Sequence, residues 1–131
     1  DVASMIKRAK RVMVITGAGI SVACGVPDFR SKGGLYDLIG QLELGLPQPE
    51  CLFDLDYFQD DPRPFFTFAR RLLPDDGAES KFKPSLAHCF IKMLDTKKKL
   101  LRNYTQNIDG IELIAGLPKS KLVQCHGSFL S

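Results

Sequence analysis

The chain has 131 residues, 44% apolar and 25% charged, with a formal net charge of +3. That length suits one compact domain, and no apolar run approaches the ~20 residues needed to cross a bilayer. The densest basic run, Lys97-Lys98-Lys99, has no basic face with interleaved aromatics around it, so neither a membrane nor direct nucleic-acid binding is expected.

The start, Asp1-Val2-Ala3-Ser4, lacks the basic residues and apolar stretch of a secretory signal, which sets the expectation of an intracellular location. Cys24, Cys51, Cys89 and Cys125 are 27, 38 and 36 positions apart, without a Cys-x-x-Cys pair to begin a zinc site. They read as reduced, partly buried thiols.

In chain order, Val2, Met5, Ile6 and Ala9 recur at helical spacing, and the continuous apolar run at 12–15 follows as a buried strand. The strand leads into Thr16-Gly17-Ala18-Gly19-Ile20-Ser21, a glycine-rich turn that lets backbone amides approach a phosphate at a helix start. Between about 26 and 83 regularity breaks down: six of the eight prolines lie there, among scattered aromatics. This segment reads as an inserted lobe. Within it, Pro62 and Pro64 open a helix that places Phe65, Phe68, Ala69 and Leu72 on one face and ends near Pro74. The stretch 75–80 reads as a polar loop.

Pro84 opens a further helix in which Leu86, Cys89, Phe90, Met93 and Leu94 form the expected core-facing stripe, with His88 outside it. A strand at 100–105, a short helix at 110–115 ended by Gly116 and Pro118, and a strand at 122–125 complete the chain. Three strands alternating with helices predict an α/β fold with a Rossmann-like parallel sheet. Residues 1–25 and 84–131 form that nucleotide-binding part, and 26–83 form a loop and a small helical lobe.

Gly17-x-Gly19 alone is weak evidence for a nucleotide. Val22 stands where the dehydrogenase fingerprint has its third glycine, and no strand ends in an acidic residue about 20 positions on. Hydride transfer is therefore disfavoured. After the second strand, Gln106-Asn107-Ile108-Asp109 offers two amides and a carboxylate, enough to hydrogen-bond a ribose and a carboxamide. After the third strand, His126-Gly127 brings an imidazole suited to proton transfer near neutral pH to the same rim. Pro27-Asp28-Phe29-Arg30-Ser31 supplies a cation for phosphate and an aromatic to cover a reacting carbon. Plainer roles stay open: His126 capping a turn, Asp109 capping the next helix, Arg30 in a surface ion pair, and Tyr36 packing under the loop. For His88 a structural or exposed position is expected, and for Phe65, Phe66 and Phe68 an ordinary core.

Four stretches, Gly17-Ala18-Gly19-Ile20-Ser21, Gly25-Val26-Pro27-Asp28-Phe29-Arg30-Ser31, Tyr104-Thr105-Gln106-Asn107-Ile108-Asp109 and Cys125-His126-Gly127, resemble the motifs of the sirtuin family in type and order. The 53–66 stretch, with Asp61-Pro62-Arg63-Pro64-Phe65-Phe66, is most similar to its nuclear and cytoplasmic branch.

The resemblance implies an NAD-dependent protein deacylase, and a chain that holds the first half of the family's catalytic core. Nicotinamide would leave the ribose as the oxygen of an acyl-lysine attacks, and the acyl group would pass to ADP-ribose. His126 would be the general base, and Asn107 would orient the ribose and a water. Gly17, Ala18, Gly19 and Ser21 would receive the phosphates, Gln106 a ribose hydroxyl, and Ile108 and Asp109 the carboxamide. Asp28, Phe29, Arg30 and Tyr36 would form a loop over the cofactor. Zinc is implied for the complete family domain, with its ligands outside this chain. Acylated proteins such as histones would be the partners. Two other outcomes are mono-ADP-ribosyl transfer to protein and a catalytically inactive truncated product.

Overall fold

The computed structural model describes residues 1–28, 30–72 and 82–128. Phe29, the polar loop at 75–80 and the helix end near Pro74 lie outside them. The chain divides into two compact units, Asp1–Val26 with Phe82–Ser131, and Pro27–Lys81.

The first unit is an α/β layer on a parallel sheet. Helix α1 (Val2–Arg8) starts at Asp1, whose carboxylate accepts the Ser4 amide at 2.7 Å. At its other end the Lys99 ammonium donates to the carbonyls of Ile6, Lys7 and Ala9 at 3.3, 2.6 and 2.8 Å. A cation there satisfies terminal carbonyls and complements the helix dipole.

Strand β1 (Val12–Thr16) pairs in parallel with β2 (Leu100–Thr105), which pairs in parallel with β3 (Leu122–Gln124). The order β1-β2-β3 makes β2 central, as in the corresponding half of a Rossmann sheet. The register sets Val14 beside Asn103 and Tyr104 beside Val123, so the three strands end at one rim.

The apolar run of β1 is covered on one face only. Val12 and Val14 pack into the core, whereas Met13 and Ile15 are 59% and 71% exposed. The continuous run suggests burial on both faces, but side chains alternate along a strand, and here only one set meets a helix layer.

Helix α6 (Leu86–Thr96) supplies much of this core, and its phase differs from the expected one. The covered face carries His88, Ile91 and Leu94, while Leu86, Cys89, Phe90 and Met93 are exposed. Both sets have helical spacing, so periodicity could not choose between them. His88 joins the core through its Nδ1 contact with the Ser85 hydroxyl at 2.8 Å, which allows a polar ring to be buried. Ile91 and Leu94 pack with Leu100 and Leu117, and Ile6, Val12, Val14, Ile20 and Leu122 close around them. Between β2 and β3 lie the single-turn helix α7 (Ile111–Ile114) and a 3-10 turn at Lys119–Lys121.

The second unit is helical. Helices α3 (Leu35–Gln41), α4 (Leu55–Asp60) and α5 (Arg63–Leu72), with a 3-10 segment at Pro49–Phe53, enclose Leu35, Ile39, Leu52 and Phe68. Pro64 sits in the first turn of α5, where its missing amide costs no helix bond. Phe68 is buried and Phe65 packs on this core, but Phe66 is 55% exposed, so the three phenylalanines are not all interior. Among the described residues no helix is long and apolar enough to cross a membrane.

Two measurements check this packing. Leu94→Ala should cost about 2–5 kcal/mol in urea denaturation, whereas Leu86→Ala should stay within about 0.5 kcal/mol; equal effects would mean that α6 presents its other face to the core. Burial also pushes the His88 imidazole below its ordinary value, against the opposing pull of Glu112 and Asp109. Between the ordinary value of about 6.5 and the lowered folded one, the unfolded chain holds the extra proton. The stability from neutral His88 is thus complete above that range and falls as pH drops through it. Denaturation at pH 7.5 and 5 should show the loss, reduced in His88→Asn.

Candidate functional site

At the rim of the first unit, each strand end passes into a polar segment. β1 runs into the turn at 17–19 and then into α2 (Gly19–Val22), a helix of one turn. β2 runs into Gln106, Asn107, Ile108 and Asp109, and β3 into Cys125, His126 and Gly127. The ladder extends past the strands: the Gln106 amide donates to Thr16 O at 3.0 Å and the Cys125 amide to Thr105 O at 2.9 Å. The three segments are thereby held side by side.

Side chains then lock the first two segments together. The Asn107 amide group donates to Gly17 O at 3.0 Å and to Ser21 Oγ at 3.2 Å. Ser21, 1% exposed, donates its hydroxyl proton to Asp109 Oδ2 at 2.7 Å. The other Asp109 oxygen accepts the Ile111 amide at 3.0 Å, so Asp109 does tether the start of α7. Each carboxylate oxygen keeps a second acceptor position. Asn107 is fixed from its backbone as well, donating to Thr105 Oγ1 at 3.1 Å.

His126 is exposed, and its Nδ1 lies 3.0 Å from Gln106 O. A carbonyl oxygen only accepts, so Nδ1 carries the proton of the neutral ring and Nε2 keeps its lone pair. That is the form a general base needs, with the ring orientation set by backbone.

Gly17 and Gly19 are not required by the protein's own packing. A Cβ at Gly17 would meet only Gln106 Oε1 at 3.6 Å, an ordinary contact, and one at Gly19 would meet nothing within 4 Å. Neither residue has a positive φ. The bare backbone therefore leaves room for an external group, and the Ala18 and Gly19 amides precede the first turn's hydrogen bond from Ile20 N to Gly17 O. These features fit the diphosphate of NAD.

The second unit carries Asp28, Arg30 and Tyr36. Asp28 closes a tight turn, accepting from the amide and hydroxyl of Ser31. Those two hydrogen bonds hold its carboxyl below the usual range. A Cβ at Gly34 would stand 2.6 Å from Ser31 O and 2.7 Å from Asp28 O, so glycine is obligatory there. Arg30 is exposed; Tyr36 packs against the Leu35–Ile39 core with its ring 6.4 Å from that of Phe53, edge-on.

Among the described residues none offers a fit for zinc. The four cysteines are free, and among the described residues no three His, Cys, Asp or Glu side chains cluster.

Sequence reasoning passes over several buried polar residues of the first unit. Asn103 and Thr105 are fully buried on β2, His88 on α6 and Glu112 on α7 nearly so. Thr16 donates to Asn103 Oδ1 at 3.4 Å. The available signal was a polar residue at every covered position near the end of β2, where an ordinary core strand is apolar.

The Sir2 family model matches residues 17–131. The NAD-dependent histone deacetylase sirtuin-1 of Drosophila melanogaster is 51% identical over 129 residues, covering 98% of this chain and 15% of that protein. The NAD-dependent protein deacetylase sirtuin-1 of Homo sapiens is 48% identical over 129 residues, 98% of this chain and 16% of that protein. The NAD-dependent histone deacetylase SIR2 of Candida albicans is 54% identical over 129 residues, 98% and 24% respectively. The chain thus spans 15 to 24% of the length of these curated relatives. With three of the four family-like stretches at one sheet rim and the family model matching most of its length, the chain belongs to the Sir2 family.

Proposed function

We propose that the chain carries the base-bearing part of an NAD-dependent protein deacetylase site, which moves the acyl group of a protein lysine to ADP-ribose. The products are nicotinamide, free lysine and O-acyl-ADP-ribose. The observation that carries this reading is the His126 ring, held through Nδ1 on Gln106 O so that Nε2 is left as the base. The names of the relatives support it, and two of them name histones as substrate. Acetylated proteins such as histones are the proposed partners, and the proposed location is intracellular, in nucleus or cytoplasm.

When bound, NAD supplies a ribose carbon with nicotinamide as its leaving group and the hydroxyls that receive the acyl group. Gly17, Ala18 and Gly19 receive the phosphates on open backbone. Ser21 belongs to the cofactor site as the residue that holds Asn107 and Asp109, since its hydroxyl is already committed to them. Asn107 orients the ribose, and Gln106 takes a ribose hydroxyl. Ile108 and Asp109 receive the carboxamide, the carboxylate accepting from its amide group. His126 removes a proton from a ribose hydroxyl at Nε2, which raises that oxygen's nucleophilicity toward the acyl carbon. For Asp28, Phe29, Arg30 and Tyr36, a role over the cofactor rests on the family motif.

In the natural full-length protein, His126→Ala should reduce deacetylation of an acetyl-lysine peptide by about 10² to 10⁴ while NAD binding persists. Asn107→Ala should impair nicotinamide exchange as well as deacetylation, because ribose geometry matters before the base acts. Normal turnover in either variant removes that residue from its role. Asp109→Asn should affect nicotinamide exchange most; an unchanged exchange rate would leave Asp109 only its helix tether. Mass spectrometry should find O-acyl-ADP-ribose, and ADP-ribosylated protein as the sole product would overturn the acyl-transfer reading.

A further inference from the structure

Ser85 and His88 lie outside every motif discussed above, yet they reach the turn that the proposed function assigns to NAD phosphates. Ser85 is the N-cap of α6 and accepts the His88 amide at 3.4 Å. Its hydroxyl also lies 3.0 Å from Ile20 O, a contact that spans 65 positions of sequence. Ile20 belongs to the single turn α2, and its carbonyl gets no amide from four residues on, because Cys24 N donates to Ser21 O instead. Ser85 thus donates to a helix carbonyl that backbone amides leave open and that the weaker Cys24 thiol reaches only at 4.0 Å, the same sulfur lying 3.9 Å from His88 Nδ1.

His88 sets which way that hydroxyl points. Its Nδ1 lies 2.8 Å from Ser85 Oγ, the shortest contact of the group. A carbonyl cannot donate, so the Ile20 contact requires the hydroxyl's proton, and the Nδ1 contact then requires a proton on the ring. Only the relay His88 Nδ1–H to Ser85 Oγ–H to Ile20 O makes both into hydrogen bonds. The longer approach of Ser85 N to Nδ1, 3.2 Å, is the one this order gives up.

His88 is 1% exposed, and among the described residues its Nε2 has no hydrogen-bond partner; nor does either carboxylate oxygen of buried Glu112, whose charge pulls on the ring. An unpartnered buried polar atom weakens the fold, because its lost hydration is not replaced. An apolar residue at position 88 would fill the α6 core without that cost, so packing alone does not account for the imidazole.

We propose that Ser85 and His88 are positioning residues for the nucleotide: their relay anchors Ile20 to the first turn of α6 and so fixes where residues 17–21 present their backbone. This rests on the reading of that turn as part of the NAD site. Substitutions at Ser85 separate anchoring from simple helix capping. Ser85→Asp keeps an equally good N-cap but has no proton for Ile20 O. Ser85→Thr keeps the hydroxyl.

In the natural full-length protein, Ser85→Asp should raise the NAD dissociation constant and KM by roughly tenfold, the equivalent of one lost hydrogen bond, with kcat within about twofold. Amide hydrogen exchange should quicken at residues 17–25 and stay unchanged through α6. Ser85→Thr should restore both readouts. Unchanged NAD affinity and unchanged exchange at 17–25 in a folded Ser85→Asp protein would overturn the proposal and leave Ser85 as a helix cap. Should the unaltered protein bind no NAD, the nucleotide reading fails on its own, and the exchange measurement still decides whether Ser85 anchors the turn.

Discussion

The rim is organised by a single buried proton, the one the Ser21 hydroxyl gives to Asp109. Because that proton is committed, Ser21 Oγ is left as an acceptor, and the Asn107 amide group occupies it while also reaching Gly17 O. One small side chain thereby sets the direction of hydrogen bonding across β1's turn and β2's end. Parallel pairing makes this arrangement possible: all strands point the same way, so their polar ends gather at one edge. Apolar contacts in place of the knot have no directional preference and would leave the side-by-side placement to the backbone ladder alone. A site prepared in this way spends less binding energy on ordering itself.

Much of this is legible in the chain itself. The apolar run of β1, the glycine turn and the polar residues after β2 and β3 are local signals, and each appears where the pattern suggests. The phase of α6 is not local. Leu86, Cys89, Phe90 and Met93 recur as helically as His88, Ile91 and Leu94, and apolar character favours the first set. What decides is a hydrogen-bond partner for His88 at the helix start and a carbonyl sixty-five positions earlier that needs Ser85. The second cannot be seen in a window of a dozen residues. The burial of β1 on only one face has the same origin, since alternation shows only when the neighbouring layer is known.

The glycines show two different physical reasons for the same residue. At Gly34 a side chain would collide with backbone oxygens of its own turn, so the protein itself imposes glycine. At Gly17 and Gly19 a side chain would fit, and the reason must be sought in what approaches from outside. The sequence shows glycine in all three places and does not distinguish them.

Lys99 holds the end of α1 across about ninety positions of sequence, and β1 finds its partner in β2 across nearly as many. The whole helical unit at 27–81 lies in that interval. Closing such a long loop is only slightly costlier than closing a short one, about 0.6 kcal/mol per doubling of length. The search for it is slow, however, because distant parallel pairing yields nothing until the ends meet. The neighbourhood of α6, β2 and β3, close together in sequence, has no such wait. On a ribosome, α1 and β1 emerge before β2 and must remain without their sheet until it is made. Their apolar residues are then exposed for the time it takes to synthesise the intervening lobe, so their shelter waits on a segment that contributes nothing to it.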